Sequence, residues 1–203
     1  MKQVKNLDYE NRLSYNKSMK ESIQQCVVKT IQEFHLPLYN EIPDVGLYLD
    51  QTVKYINTFF KPLPNMELTT SMVSNYVKKG LIDRPIKKCY SRDQICYLMF
   101  IMIAKTVISM ENIQLLFTVQ KKVYDEETAY EYLRLELENI LEYVFGLKGN
   151  MDTFGITESD EKEMLRNTLM TFSHKIYLEL CLEAVSQEEK QLFLYKKDWQ
   201  MPI

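Results

Sequence analysis

An all-α fold is predicted for this 203-residue chain from three observations. Apolar residues recur at spacings of three and four through most of the sequence, and prolines fall between those stretches rather than inside them. Only 5 glycines are present, roughly a third of the usual ~7% frequency. Scarce glycine weighs against β-sandwiches and against loops that cradle dinucleotides or phosphates. A chain of this length buries most of its apolar surface without disulfides or metals, as one domain or one domain with a satellite.

The elements follow in order. Met19, Ile23, Val27, Ile31 and Phe34 stripe an amphipathic helix over residues 17–34, which the loop from His35 to Pro43 ends. Asp44 is placed to cap a second helix, taken as Leu47 to Phe60, with Leu49, Val53, Ile56 and Phe60 inward. Lys61-Pro62-Leu63-Pro64 stops it. Thr69 or Thr70 caps a short helix to Lys79, closed by Gly80 at the left-handed position after the helix. Leu81 to Tyr90 is a basic connector. Ser91 and Gln94 have capping-box spacing and open a helix that is apolar all round from Ile95 to Ala104. A strand is the competing reading for so short a run. Ser109 starts a helix through Ile113, Leu116 and Val119.

Two longer helices follow. Leu133, Leu137, Leu141 and Val144 stripe the first, which ends in Gly146 to Gly155. Thr157 with Asp160 caps the second, striped by Leu165, Leu169, Phe172, Ile176 and Leu180. Ser186 with Glu189 offers a fresh cap, so a separate last helix is expected over Leu192 to Trp199. Three segments result: residues 1–43, an N-terminal helix and linker; 44–122, a helical domain; and 123–203, an acidic helical region.

Charge separates the same segments. Residues 47–122 carry 11 basic against 5 acidic side chains, whereas residues 123–203 carry 8 against 17. A basic centre beside an acidic tail suggests one half that faces a polyanion and a second half that does something else. Cys26, Cys89, Cys96 and Cys181 are scattered without C-x-x-C spacing, and Met1 to Glu10 has no apolar run. Free thiols, no signal peptide and a cytoplasmic location are therefore expected. The longest apolar run, Ile95 to Ala104, is too short to cross a bilayer, and no membrane association is expected.

Catalytic signatures are missing from the spacing. His35 and His174 lack ligand partners at i+3 or i+4, so no metal or other cofactor is expected. No P-loop, nucleophile elbow, G-x-G-x-x-G or H-E-x-x-H occurs. The acidic clusters Asp125 to Glu127 and Glu158 to Glu163 sit at predicted helix starts, where they complement the helix dipole. The chain is not expected to be an enzyme.

The informative constellation lies in residues 69–117. Ser71, Ser74, Asn75 and Lys78 fall at i, i+3, i+4 and i+7, which aligns them on one face of their helix, with Val73, Tyr76 and Val77 toward the core. A row of hydroxyl, amide and ammonium groups suits base edges and phosphates. A solvated surface helix carries the same pattern. The order of elements adds to it: a short helix ending Gly80-Leu81-Ile82, a basic connector, then Tyr90-Ser91 before a long helix. This resembles the winged helix-turn-helix of the mercury-resistance-regulator (MerR) type, whose pattern Tyr76, Gly80, Leu81, Ile82, Tyr90 and Ser91 match. The recognition-helix arginine of that type falls on Ser74, the wing between Pro85 and Tyr90 is several residues shorter, and the Lys61 to Leu68 loop is longer.

A closer resemblance is to the family called domain of unknown function 1836, from Gram-positive bacteria. Its blocks match Ile42, Pro43, Asp44, Leu47, Tyr48, Asp50 and Gln51, then Leu68, Thr69, Met72, Asn75 and Tyr76, then Lys87, Lys88, Tyr90 and Ser91. That resemblance spans residues 40–120 and implies a fold without an activity. The resemblance to the MerR-type regulators implies a transcriptional regulator that binds double-stranded DNA. Ser71, Ser74, Asn75 and Lys78 would face the major groove, Lys79, Lys87, Lys88 and Arg92 would neutralise phosphates, and Thr70 joins them among the expected DNA-binding residues. The acidic C-terminal helices would dimerise, since the apolar stripe of the last helix is wider than one partner covers. The alternative is a helical protein-interaction module without DNA binding.

Overall fold

Nine buried residues, Ile95, Cys96 and Leu98 to Ala104, lie at the centre of this molecule, and the other helices are arranged around them. The computed structural model describes residues 21, 23–152 and 159–198, with side chains as far as residue 187. Among them helices dominate, and the single sheet has two strands of two residues each. Residues 23–32 form α1. β1 (Leu47–Tyr48) and α2 (Leu49–Phe60) follow, then α3 (Thr70–Lys78), β2 (Cys89–Tyr90), α4 (Arg92–Ala104), α5 (Met110–Gln120), α6 (Glu126–Val144) and α7 (Asp160–Asp198). No helix among the described residues is long and apolar enough to cross a membrane.

The all-round apolar run is α4, a helix and not a strand. Ile95, Cys96 and every residue from Leu98 to Ala104 are buried, with α2, α6 and α7 packed against it. Its start is the capping box read from the sequence: Gln94 N–H donates to Ser91 Oγ at 3.3 Å, and Ser91 N–H donates to Gln94 Oε1 at 2.9 Å. α1 contributes Val27 and Ile31, and Phe34 packs its ring 5.7 Å from Phe60 of α2. Met19 and residues 17–20 and 22 of the expected first helix lie outside the described residues. One hydrophobic cluster runs from Val27 to Leu180 and takes side chains from all three sequence segments.

Two starts differ from expectation. Asp44 does not cap the second helix, and Leu47 is not in it. Leu47 and Tyr48 pair antiparallel with Tyr90 and Cys89, so α2 begins only at Leu49, where Tyr48 N–H donates to Gln51 Oε1 at 3.0 Å. Gly46 makes that pairing possible. Its φ is +76°, and a Cβ there would lie 3.1 Å from Cys89 Cβ. The C-terminal expectation also changes: Ser186 and Glu189 open no new helix, because α7 runs unbroken through them. No glycine or proline interrupts residues 160–198, and a capping box forms only where the chain already leaves the helix. The Thr157 cap and Trp199 lie outside the described residues; Ser159 Oγ accepts from Lys162 N–H at 3.4 Å.

α6 and α7 form the acidic half, joined along Leu133, Leu137, Ile140 and Leu141 against Leu169, Phe172, Ile176 and Leu180, all buried. A buried carboxylate crosses this seam: Arg166 Nε donates to Glu136 Oε1 at 2.6 Å, and Glu136 is fully buried. Buried Asn139 clamps the following loop, donating to Asp152 O and accepting from Asp152 N–H, each at 2.8 Å. Tyr130 Oη donates to Pro37 O at 2.9 Å and Tyr39 N–H to Glu131 Oε1 at 2.6 Å, which tie the segment before β1 to α6.

Candidate nucleic-acid interface

α3 is amphipathic in the sense its sequence required. Val73 and Tyr76 are buried, Met72 and Val77 pack against the core, and Thr70, Ser71, Ser74, Asn75, Lys78 and Lys79 are exposed. Thr69 is the cap, its Oγ1 accepting from Met72 N–H at 3.2 Å. Lys79 is the last half-helical residue, and Gly80 at φ +71° allows the closing bonds, Gly80 N–H to Val77 O at 3.1 Å and Leu81 N–H to Tyr76 O at 2.9 Å. This doubly bonded left-handed stop buries Leu81 and Ile82 and releases the chain toward the basic connector.

Asn57 of α2 holds α3 in place, a role that sequence reading missed. Its amide donates to Leu68 O at 2.9 Å and accepts from Leu68 N–H at 2.8 Å, the bond pattern of a strand partner. The nine-residue loop between α2 and α3 is therefore fixed one residue before the Thr69 cap. Only the neighbourhood of prolines with an asparagine in the preceding helix hinted at such a clamp.

The connector is a tight hairpin. Cys89 N–H donates to Ile86 O at 2.9 Å, and Lys87 and Lys88 between them have φ of +50° and +68°. Two positive φ values define a type I′ turn, which asparagine and glycine favour and lysine does not. Both lysines are exposed at its tip, and Ile86 beside them is 79% exposed. Val45, on the loop before β1, is 85% exposed. A groove of about 520 Å³ separates this hairpin from the end of α3, with Gly80, Arg84, Lys87 and Lys121 on its walls alongside Asp44, Asp83, Asp93 and Glu126. The signal that could have revealed the hairpin is the two-residue spacing of Ile86 and Cys89.

The stripe differs in how free its groups are. Ser74 Oγ donates to Thr70 O at 2.8 Å, and Ser71 Oγ shares a hydrogen bond with Thr69 Oγ1 at 2.9 Å. Asn75 makes no side-chain hydrogen bond among the described residues, and neither do Lys78, Lys87 and Lys88. Lys79 acts on α5: the Glu111 carboxyl is held below the usual carboxylate range by its own backbone N–H and Ser109, with Lys79 adding a smaller pull. Arg92 is placed elsewhere. It is half-buried, its Nε donates to Ile42 O at 2.7 Å, and its guanidinium lies 5.0 Å above the Tyr39 ring. Of the nine residues read from the sequence, eight are exposed and Arg92 is tied into the fold.

The described residues contain no cluster of three or more potential metal ligands. Neither a curated protein nor a solved structure matches the chain. A family model does match, over the stretch that runs from just before β1 into α6 and contains both α3 and the hairpin. Residues 37–134 of this chain match the family described as domain of unknown function (DUF1836).

Proposed function

We propose that this protein is a DNA-binding transcriptional regulator of the winged helix-turn-helix type, with α2 and α3 as the helix pair and the Ile86–Cys89 hairpin as a minimal wing. The observation that carries the reading is α3 itself: a capped, clamped helix that buries Val73 and Tyr76 while Ser71, Ser74, Asn75 and Lys78 stand exposed. Asn75 is the base-reading group of choice, because a free amide can accept from adenine N6 and donate to N7 on its major-groove edge. Lys87 and Lys88 reach phosphates from the hairpin tip, and Lys78 and Lys79 do so from the end of α3.

We further propose that α7 pairs two copies of the chain, as half-site readers commonly do. Leu178 and Leu182 are 58% and 59% exposed one turn apart on α7, and apolar neighbours at i and i+4 form a seam. Tyr177, beside them, packs edge-on against Phe145 at 5.3 Å. On this reading the protein works in the cytoplasm and needs no catalytic group.

Recovery of bound DNA across a genome with the tagged protein tests the regulator reading. A shared motif under the recovered peaks is expected. Equal and negligible affinity for selected and scrambled duplexes would overturn it. The interaction-module reading draws on Ser71 and Ser74, whose hydroxyls already have partners within α3 and its cap.

A further inference from the structure

A second, half-open cavity is bordered by α4, α5, α6 and the first turns of α7, and it shares Asp93, Tyr97 and Glu126 with the groove beside the hairpin. Its volume is about 190 Å³. The floor is apolar and aromatic: Phe100, Phe117, Tyr130, Leu133 and the Cys96 thiol line it, all buried. Phe117 meets the rings of Tyr97 at 4.7 Å and Phe100 at 5.4 Å, so the floor is a rigid cluster rather than loose aliphatic chains. An apolar cavity of ~150 Å³ accepts benzene. This one therefore takes a single ring with a short tail.

The charged lining gives the sign of the ligand. Asp93, Glu126 and Glu161 contribute three carboxylates against one ammonium, from Lys162. Glu161, in the first turn of α7, is held below the usual carboxylate range by its own backbone N–H and by Ser159. The aromatic walls already attract cations: Lys162 Nζ lies 5.1 Å from the Tyr132 ring centre, and Lys121 Nζ lies 4.8 Å from that of Tyr97. A ring face and a carboxylate both favour an ammonium and repel a carboxylate.

We propose that this cavity binds a small monocyclic arylalkyl amine, cationic at neutral pH, with its ring on the Phe100–Phe117 floor and its ammonium among Asp93, Glu126 and Glu161. The proposal does not depend on DNA binding. Gln120 and the Tyr97 hydroxyl, 3.3 Å apart and both on the cavity wall, offer the ammonium a neutral acceptor as well.

The test titrates the full chain with three ligands of one shape: 2-phenylethylamine, the neutral propylbenzene and the anionic phenylacetate. Calorimetry and thermal shift provide the readouts. Saturable binding of the amine, about tenfold or more tighter than phenylacetate, is expected. The double variant Glu126→Gln with Glu161→Gln should weaken the amine about fivefold and leave propylbenzene unchanged. Ala129→Phe, which fills the cavity, should abolish binding of both. Phenylacetate binding as tightly as the amine would overturn the proposal, as would absence of saturation with all three. Should Ala129→Phe unfold, the charge series on the wild-type chain decides alone.

Discussion

Lys87 and Lys88 hold a backbone shape that neither side chain favours. Non-glycine residues at positive φ cost on the order of 1 kcal/mol each, and such strain persists where the position serves a purpose. Lys87→Asn with Lys88→Gly should therefore raise the unfolding free energy by about 1 kcal/mol, read from denaturant midpoints at constant slope. On the regulator reading the same variant should weaken DNA binding, because the two charges proposed to reach phosphates are gone. Stability and affinity moving in the same direction would contradict the phosphate role. Substituting both lysines by alanine should lower affinity for all duplexes alike and flatten the log-affinity against log-salt slope by about one per lost contact. Asn75→Ala should do the reverse: about 1–3 kcal/mol of discrimination between selected and scrambled duplex disappears, with the salt slope nearly unchanged.

Among the elements, α6 and α7 depend on a buried charge. Glu136 is fully buried and Arg166 is its ion-pair partner. Removing the partner leaves a carboxylate without compensation, so Arg166→Met should cost about 3 kcal/mol by chemical denaturation. Adding Glu136→Leu should recover most of that loss, since a well-packed apolar pair of similar volume is often neutral. If the double variant is no more stable than the single one, the seam is held by shape and not by charge. The elements differ in how visible they were beforehand. α4 and α5 declared themselves through Ser91, Gln94 and Ser109, because capping is a local event written in adjacent residues. The buried stripes of α6 and α7 were legible for the same reason, through a period that one helix alone determines. Pairing of Leu47 with Tyr90 was not, because the partners are more than forty residues apart and each strand has only two residues. The exposed α3 stripe was readable from periodicity, whereas the Asn57 clamp and the Arg92 contact with Ile42 exist only once helices are packed. The end of the last helix was misread because Ser186 carries a cap's composition inside an unbroken helix.

For the molecule as a whole, tyrosine decides the alkaline limit. Burial raises the phenol pKa of Tyr39, Tyr55, Tyr76, Tyr90, Tyr97, Tyr130 and Tyr132 above the ordinary value, with nearby carboxylates adding to several. A group whose folded pKa is raised keeps its proton longer in the native state, so its stabilisation is complete below the unfolded value and is lost above it. Stability should fall from about pH 10 upward, where unfolded tyrosine ionises. The share of tyrosinate absorbance that comes from these seven phenols should then rise together with the loss of helical circular dichroism. Tyrosinate appearing in full while the helices persist would contradict the burial. Assembly is checked at the same scale. Sedimentation at tens of micromolar should show a dimer, and Leu178→Glu with Leu182→Glu should return it to a monomer with an unchanged helix signal.

The 39 residues of α7 make a rod of about 58 Å at 1.5 Å per residue. Its first turns supply Glu161, Lys162 and Leu165 to the amine cavity, and beyond them Leu169, Phe172, Ile176 and Leu180 are buried in the seam with α6. Leu178 and Leu182 lie on the same rod about 20 Å and 26 Å beyond Leu165, so one continuous helix carries both a wall of the cavity and the seam proposed for a second copy.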